Sequence, residues 1–223
     1  MKIELSDNEK LLVVAPHPDD ESIGCGGVLC TFNNHCDVML VTDGVTDLPE
    51  NKQLANKRIM EFQSAMKICG IDQSFFLHIP EKQIPNHLER FLSIDYSVYK
   101  YIFVPNKYEY HQDHTDTYAS IKKAVKKKHV KTNIIEYEVW TTIRFPNIYF
   151  DISGVTDKKA EAINQHESQT AGLDYVKLIM GLNTYRGLSK EYEYAEAYYC
   201  DAEKKRERIR RIKRKIKGKV KRT

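Results

Sequence analysis

Leu11-Leu12-Val13-Val14-Ala15, followed by Pro16-His17-Pro18-Asp19-Asp20-Glu21, is the stretch on which the fold turns. Five apolar residues in a row, without alternation, are the pattern of a strand buried on both faces, and such strands belong to parallel sheets covered by helices. Working outward, 24–32 reads as a helix, 37–42 as a second strand and 51–69 as a helix with apolar residues at Ile59, Phe62, Ala65 and Met66, stopped by Gly70. A third strand follows at 74–79, a helix at 85–92, a fourth strand at 101–104 closed by Pro105, and a helix at 116–128. Strands are expected at 133–142, 148–152 and 191–200, and a helix at 155–167. Strand-helix-strand alternation implies a parallel sheet with helices on both faces. The expected class is therefore α/β: a Rossmann-like three-layer fold with a mostly parallel sheet.

The chain has 223 residues, 41% of them hydrophobic, which suits one domain with a real core. Gly and Pro are too few for a collagen-like or linker-like chain. The net charge of +4 hides a split: residues 204–223 hold 13 Lys/Arg against Glu207 alone, so the rest of the chain is acidic. The expected organisation is a domain over 1–202 and a basic, helical or disordered tail over 203–223. No apolar run approaches the roughly 20 residues needed to cross a membrane. The N-terminus is polar and acidic rather than signal-like. A cytoplasmic protein is expected. Five cysteines, an odd count with no CxxC pair, read as reduced, buried thiols.

The chemistry falls after the first and fourth strands. Ligands of open α/β sheets bind beyond the carboxyl ends of the strands, and both loops lie on that edge. In the first, three consecutive carboxylates repel one another, a cost that a divalent cation would reverse. His17 and Asp20, three apart, can point the same way at a loop-to-helix junction, leaving Asp19 free. A catalytic metal wants three protein ligands and an open position. His17, Asp20 and one histidine of His111-Gln112-Asp113-His114 would supply them. Asp19 could then take a proton from water. The plainer reading of the first cluster is an Asx-rich turn capping a helix at Gly24. Two histidines and a carboxylate suit Zn²⁺, and Fe²⁺ or another divalent metal as well.

The sequence resembles the PIG-L/LmbE-like family of zinc-dependent N-acetylglucosaminyl deacetylases. The likeness begins at Ala15-Pro16-His17-Pro18-Asp19-Asp20-Glu21 with Gly24-Cys25-Gly26-Gly27. It continues through Val41-Thr42-Asp43-Gly44, Arg58 with Glu61, Cys69-Gly70 and His111-Gln112-Asp113-His114. It ends in Lys159, Ala162, His166, Ser168 and Gln169, then Tyr185-Arg186-Gly187 and Tyr194-Ala195-Glu196-Ala197-Tyr198. The resemblance implies that His17, Asp20 and His114 hold zinc and that Asp19 is the general base. His111 would stabilise the oxyanion or protonate the leaving amine, oriented by Asp113. Arg58 and Arg186 would face the substrate. The implied reaction is hydrolysis of the acetamide of an N-acetylglucosamine-type sugar, free, nucleotide- or lipid-linked. A general N-acyl amidase, or a repurposed binding module on the same fold, is the alternative. Family members commonly assemble into oligomers.

Elsewhere the plain readings prevail. Trp140 reads as core, His166 as a supporting residue, and the lysines between Lys122 and Lys131 as a solvated face. Ile209, Ile212, Ile216 and Val220 give the tail one apolar stripe among many cations. Peripheral contact with an anionic membrane at its inner face is the favoured partner reading for the tail, ahead of nucleic acid. A solubilising tail with no partner is the plain alternative.

Overall fold

The apolar run at 11–15 does form a strand buried on both faces. In the computed structural model, which describes residues 2–170 and 172–203, it belongs to β1 (Lys10–Ala15). The order continues α1 (Asp20–Thr31), β2 (Cys36–Thr42), α2 (Lys52–Cys69), β3 (Gln73–Ile79), α3 (Leu88–Leu92), β4 (Tyr99–Pro105), α4 (Gln112–Lys127) and β5 (Asn133–Tyr137). It closes with β6 (Ile148–Asp151), α5 (Thr156–Asn164), α6 (Glu167–Thr170), α7 (Tyr175–Leu188) and β7 (Ala195–Tyr198).

Five strands form one sheet in the order β3-β2-β1-β4-β5, all parallel. Leu11, Val13 and Ala15 face one core, shared with residues of α1, α2, α5 and α7. Leu12 and Val14 face the other, shared with residues of α3 and α4. Each such side chain, fully buried, contributes about 1.5–3 kcal/mol, so both faces of β1 are needed. β6 and β7 pair antiparallel and join the edge of the sheet through a bridge between Glu136 and Tyr199. The strand order reverses between β1 and β4, and a crevice opens at such a switch point beyond the carboxyl ends. The His17 and His111 loops leave the sheet there.

Four differences from the sequence reading have physical reasons. First, α1 starts at Asp20, not Gly24, and Asp19 makes no side-chain capping bond, so the capping turn at Gly24 does not form. Second, α4 starts at Gln112 rather than 116, which places His114 in its first turn. Third, β5 stops at Tyr137. Beyond it, backbone N–H groups are taken by buried carboxylates instead of a strand neighbour: Val139 and Thr141 donate to Glu109, and Ile143 to Glu138. Fourth, α7 was not expected at all. Its buried residues are Ile179, Asn183, Arg186 and Gly187, so the helical spacing is there but the apolar signal is not.

All five cysteines are buried and free. Among the described residues no helix is long and apolar enough to cross a membrane. The basic stretch 204–223, with its apolar stripe, lies outside the described residues.

The family-like residues of the last third build a buried polar hub. Glu196 accepts the backbone N–H groups of Gly27 (2.7 Å) and Val28 (3.0 Å) in the middle of α1. It also accepts Lys159 Nζ (2.7 Å) and the Tyr198 hydroxyl (2.5 Å). Lys159 is 0% and Glu196 2% exposed. A Cβ on Gly27 would sit 2.2 Å from Ile152 Cγ2 and 3.0 Å from the Glu196 carboxyl carbon, so only glycine admits the hub.

Candidate active site

β1 ends at Ala15, and the Pro16 carbonyl is fixed by the Thr42 backbone N–H (3.0 Å) and hydroxyl (2.8 Å). That ties the His17 loop to the end of β2. Asp19 then takes φ 148°, outside the regions an L-residue prefers, before α1 begins. Strain at a single buried residue beside a reactive cluster is a common mark of a functional position.

His17 Nδ1 lies 3.2 Å from Asp20 Oδ2 and 3.2 Å from His114 Nε2. His114 Nε2 lies 3.2 Å from the same Asp20 oxygen. The three donor atoms form a near-equilateral triangle. An ion bound at about 2.0–2.2 Å in tetrahedral geometry would separate its donors by about 3.4 Å, so the set fits a divalent cation. Two imidazole nitrogens facing each other beside a carboxylate also have too few protons to satisfy all three edges well, which a cation resolves. His17, His111 and His114 are likewise close enough to share an ion, as are His17, Glu81 and Asp113. The Asp20-containing triangle has all three edges at 3.2 Å and includes a carboxylate.

The supporting contacts differ from one expectation. Asp113 was expected to orient His111. Its carboxylate instead reaches His17 Nε2 (3.2 Å) and accepts the Lys82 N–H (2.9 Å). His17 is thereby held from behind, with Nδ1 forward, the usual arrangement of a carboxylate behind a ligating histidine. His111 stands edge-on to His17, with ring centroids 4.7 Å apart. Its Nδ1 accepts the Asp113 backbone N–H at 3.3 Å. The proton of a neutral His111 ring then resides on Nε2. His114 Nδ1 is buried with no hydrogen-bond partner among the described residues.

The electrostatics separate the two neighbouring aspartates. Burial would raise Asp20, but His114 and His17 outweigh it and hold Asp20 far below the usual carboxylate range. At Asp19 burial together with the Asp20 charge outweighs the pull of His166 and His17 and pushes it up to about 8. Burial would depress His17, yet the hydrogen bonds from Asp113 and Asp20 prevail and lift it to about 10. Burial and the neighbouring His17 and His114 lower His111. Neighbouring carboxyls driven apart are a common sign of divided acid–base roles.

These values carry a prediction. Without metal, His17 keeps its second proton below about pH 10, and a ligand nitrogen must give that proton up. Metal uptake at neutral pH is expected to release at least one proton per ion. Affinity should climb by about tenfold per pH unit for each proton displaced. Calorimetric titration in two buffers of different ionisation enthalpy measures this. Identical heats in both would show that His17 is not displaced.

Arg58, on α2, donates to the Gly44 carbonyl and to Gln169 Oε1 (2.6 Å), and approaches Glu81 at 3.8 Å. Glu61, one turn on, accepts both the N–H and the hydroxyl of Ser168. The Arg58, Glu61, Ser168 and Gln169 positions thus form one clasp between α2 and α6 beside the cluster. Arg186 is elsewhere. Its guanidinium pairs with Glu138 and donates to the Ile143 carbonyl (2.9 Å), buried to 8% exposure. These partners anchor it to the segment that follows β5. Sequence reading counted Glu21 among three carboxylates but missed its partners, the Ser22 hydroxyl that donates to it and His166 at 3.2 Å. It also missed Glu109, which fixes the loop before His111. Neither has a spacing signal, because each acts through backbone groups or a residue far along the chain.

An open parallel α/β sheet with a buried His/Asp cluster at its switch point defines a class, the α/β proteins able to hold a divalent cation beside an ionisable carboxyl. Within that class, the family model for PIG-L, the GlcNAc-PI de-N-acetylases, matches residues 12–125. The chain belongs to that family. The diacetylchitobiose deacetylase of Thermococcus kodakarensis is 26% identical over 190 residues, covering 74% of this chain and 71% of that protein. The structure of N,N′-diacetylchitobiose deacetylase from Pyrococcus horikoshii superposes with a TM-score of 0.74 at 21% identity, covering 87% of this chain and 84% of that one. A 4-carboxy-2-hydroxymuconate hydratase from Pseudomonas putida KT2440 reaches 0.72 at 16% identity, covering 86% and 96%. A deacetylase and a hydratase thus share this fold, and the activity has to be argued from the site.

Proposed function

We propose that the protein is a zinc-dependent N-deacetylase that hydrolyses the acetamide of an N-acetylglucosamine-type sugar. The observation that carries the reading is the triangle of His17 Nδ1, Asp20 Oδ2 and His114 Nε2, with buried Asp19 next to Asp20 in the chain. These three residues would hold the ion, Zn²⁺ first and Fe²⁺ as the alternative. When bound, such an ion supplies Lewis acidity, polarising a carbonyl and making water acidic near neutral pH. With a dication held there, Asp19 would be favoured in its ionised form against the burial that otherwise keeps it protonated. Asp19, ionised, takes a proton from the attacking water. His111 presents its Nε2–H to the developing oxyanion, an interaction worth about 2.7–4 kcal/mol where it has been measured for single donors. Asp113 fixes the orientation of His17 throughout. Asp19 then returns its proton to the nitrogen, and acetate and the free amine leave. Arg58, held by Gly44 and Gln169, would meet sugar hydroxyls or a phosphate. Membership of the PIG-L family and the name of the Thermococcus relative support this choice of substrate. Residues 1–202 are read as one catalytic domain, with 203–223 as an appended basic segment.

The test is acetate release by zinc-loaded protein from free, nucleotide-linked and lipid-linked N-acetylglucosamine, with and without chelator. Chelator-sensitive release from any of them is the expected result. No release from protein with confirmed metal would sink the reading. His114→Ala is expected to lose the ion itself, with metal content below a tenth of wild type by about 10–100-fold weaker binding or worse. Full occupancy in that variant would remove His114 from the set.

A further inference from the structure

Two thiols meet at the far end of α1 from the His17, Asp20 and His114 cluster. Cys30 lies in the last turn of α1, and Cys69 is the last residue of α2. Their Sγ atoms are 3.0 Å apart, although 39 positions separate the residues in the chain. We propose that this pair is an oxidation site: a hydroperoxide converts it to a disulfide that ties α1 to α2, and a dithiol reductant reopens it. The site is independent of the deacetylase reading, since ten residues of helix, about 15 Å, separate Cys30 from Asp20.

The helix ends hold the two sulfurs where they are. Gly70, at φ 75°, ends α2 with its N–H on the Lys67 carbonyl (3.1 Å), and Ile71 donates to the Met66 carbonyl (2.9 Å). This is the usual glycine stop of a helix. Phe32 donates to the Val28 carbonyl (2.9 Å) and finishes α1. A Cβ on Gly70 would stand 2.7 Å from Asn33 Nδ2, so the turn after α2 is packed on the turn after α1. Two fixed turns therefore set the separation of the thiols. The gap that remains to a covalent S–S bond is about 1 Å, which side-chain rotation can close.

The two thiols are also chemically unequal. The hydrogen bond with Cys69 holds Cys30 below the ordinary thiol range against the opposing effect of burial. The same hydrogen bond, with burial, raises Cys69. Burial raises Cys25, Cys36 and Cys200. Cys30 is 7% and Cys69 1% exposed, so the better nucleophile is also the more accessible. The Cys30 thiolate attacks one oxygen of the peroxide. The O–O bond breaks, Cys30 becomes a sulfenic acid, and its former proton goes to the departing oxygen, which leaves as an alcohol or, from hydrogen peroxide, as water. Cys69 then attacks the Cys30 sulfur. The S–S bond forms, the S–O bond breaks, and the hydroxyl leaves with the Cys69 proton as water. Two thiols give up two electrons and one peroxide takes them. The bond closes a loop that contains β2 and α2, the helix of Arg58 and Glu61.

The experiment treats the native full chain with hydrogen peroxide, unfolds it in an alkylating agent and maps the peptides by mass spectrometry. The expected product has a Cys30–Cys69 cross-link and three alkylated thiols in place of five, with all five recovered after dithiothreitol. Closing a loop of this length should raise the thermal midpoint by about 5–15 °C. Cys30→Ser and Cys69→Ser should each lose that shift, and Cys36→Ser should keep it. The map is read on the wild-type chain, so a variant that folds poorly does not block the result. Five free thiols after peroxide, a Cys30–Cys36 cross-link, or Cys30 carried on to sulfinic acid beside an untouched Cys69 would overturn the proposal. So would a cross-linked protein whose midpoint fails to rise, since the bond would then be forced on the fold rather than built into it.

Discussion

Asp19→Asn is expected to cut kcat by about 10²–10⁴, the usual contribution of a positioned general base, with metal content unchanged. The argument is geometric and electrostatic. Asp19 lies outside the donor triangle, so an amide in its place leaves His17, Asp20 and His114 as they are. The amide matches the carboxyl in shape but accepts no proton. In metal-free protein Asp19 is already held near its protonated form, pushed up to about 8 by burial and by Asp20. A neutral amide therefore meets no added desolvation cost, and the thermal midpoint of the metal-free variant should equal or exceed that of wild type. Steady-state kinetics, metal analysis and a melting curve on one preparation read all three. A kcat within tenfold of wild type would hand the base role to another group.

Lys159→Ala is expected to cost about 3–5 kcal/mol of stability, because it leaves Glu196 as an unpaired buried charge. Urea unfolding should show the midpoint falling with the slope unchanged. The reverse change, Glu196→Ala, should cost at least as much. It strands the lysine charge and also the N–H groups of Gly27 and Val28, each a buried donor worth about 1–3 kcal/mol when left unmade. The double variant Lys159→Met, Glu196→Gln should recover part of the loss, since no charge is then buried and the amide oxygen can still accept from Gly27. Single variants costing under about 1 kcal/mol would mean that water reaches the hub.

Much of this was legible in the sequence, and the reasons are specific. Residues 11–15 announced a two-faced strand because a short apolar run, closed by Pro16 and rich in Val and Leu, suits a strand of a covered parallel sheet. His17, Asp20 and His114 could be brought together on paper because both loops leave the same edge, and the structure places their donors within 3.2 Å. The contact of the Asp113 carboxylate with His17 was not legible because the two lie 96 positions apart and meet only when the loops fold together. The partner of Arg186 was not legible for a related reason: a buried arginine declares its partner only when Glu138, 48 positions earlier, is folded against it. Helix α7 escaped because periodicity tracks apolar residues, and this helix buries an asparagine, an arginine and a glycine.

The Glu196 hub has a consequence for how the chain is made. Gly27 and the carboxylate that satisfies its N–H are 169 positions apart. On a ribosome the first motif emerges long before its partner, since 169 positions separate Gly27 from the Glu196 carboxylate that the middle of its helix needs. Contacts of such separation are slow to form and leave surface exposed in the meantime. Nascent chains stalled before residue 196 should therefore be protease-sensitive throughout and should gain resistance together, in one late step, once that glutamate has cleared the exit tunnel.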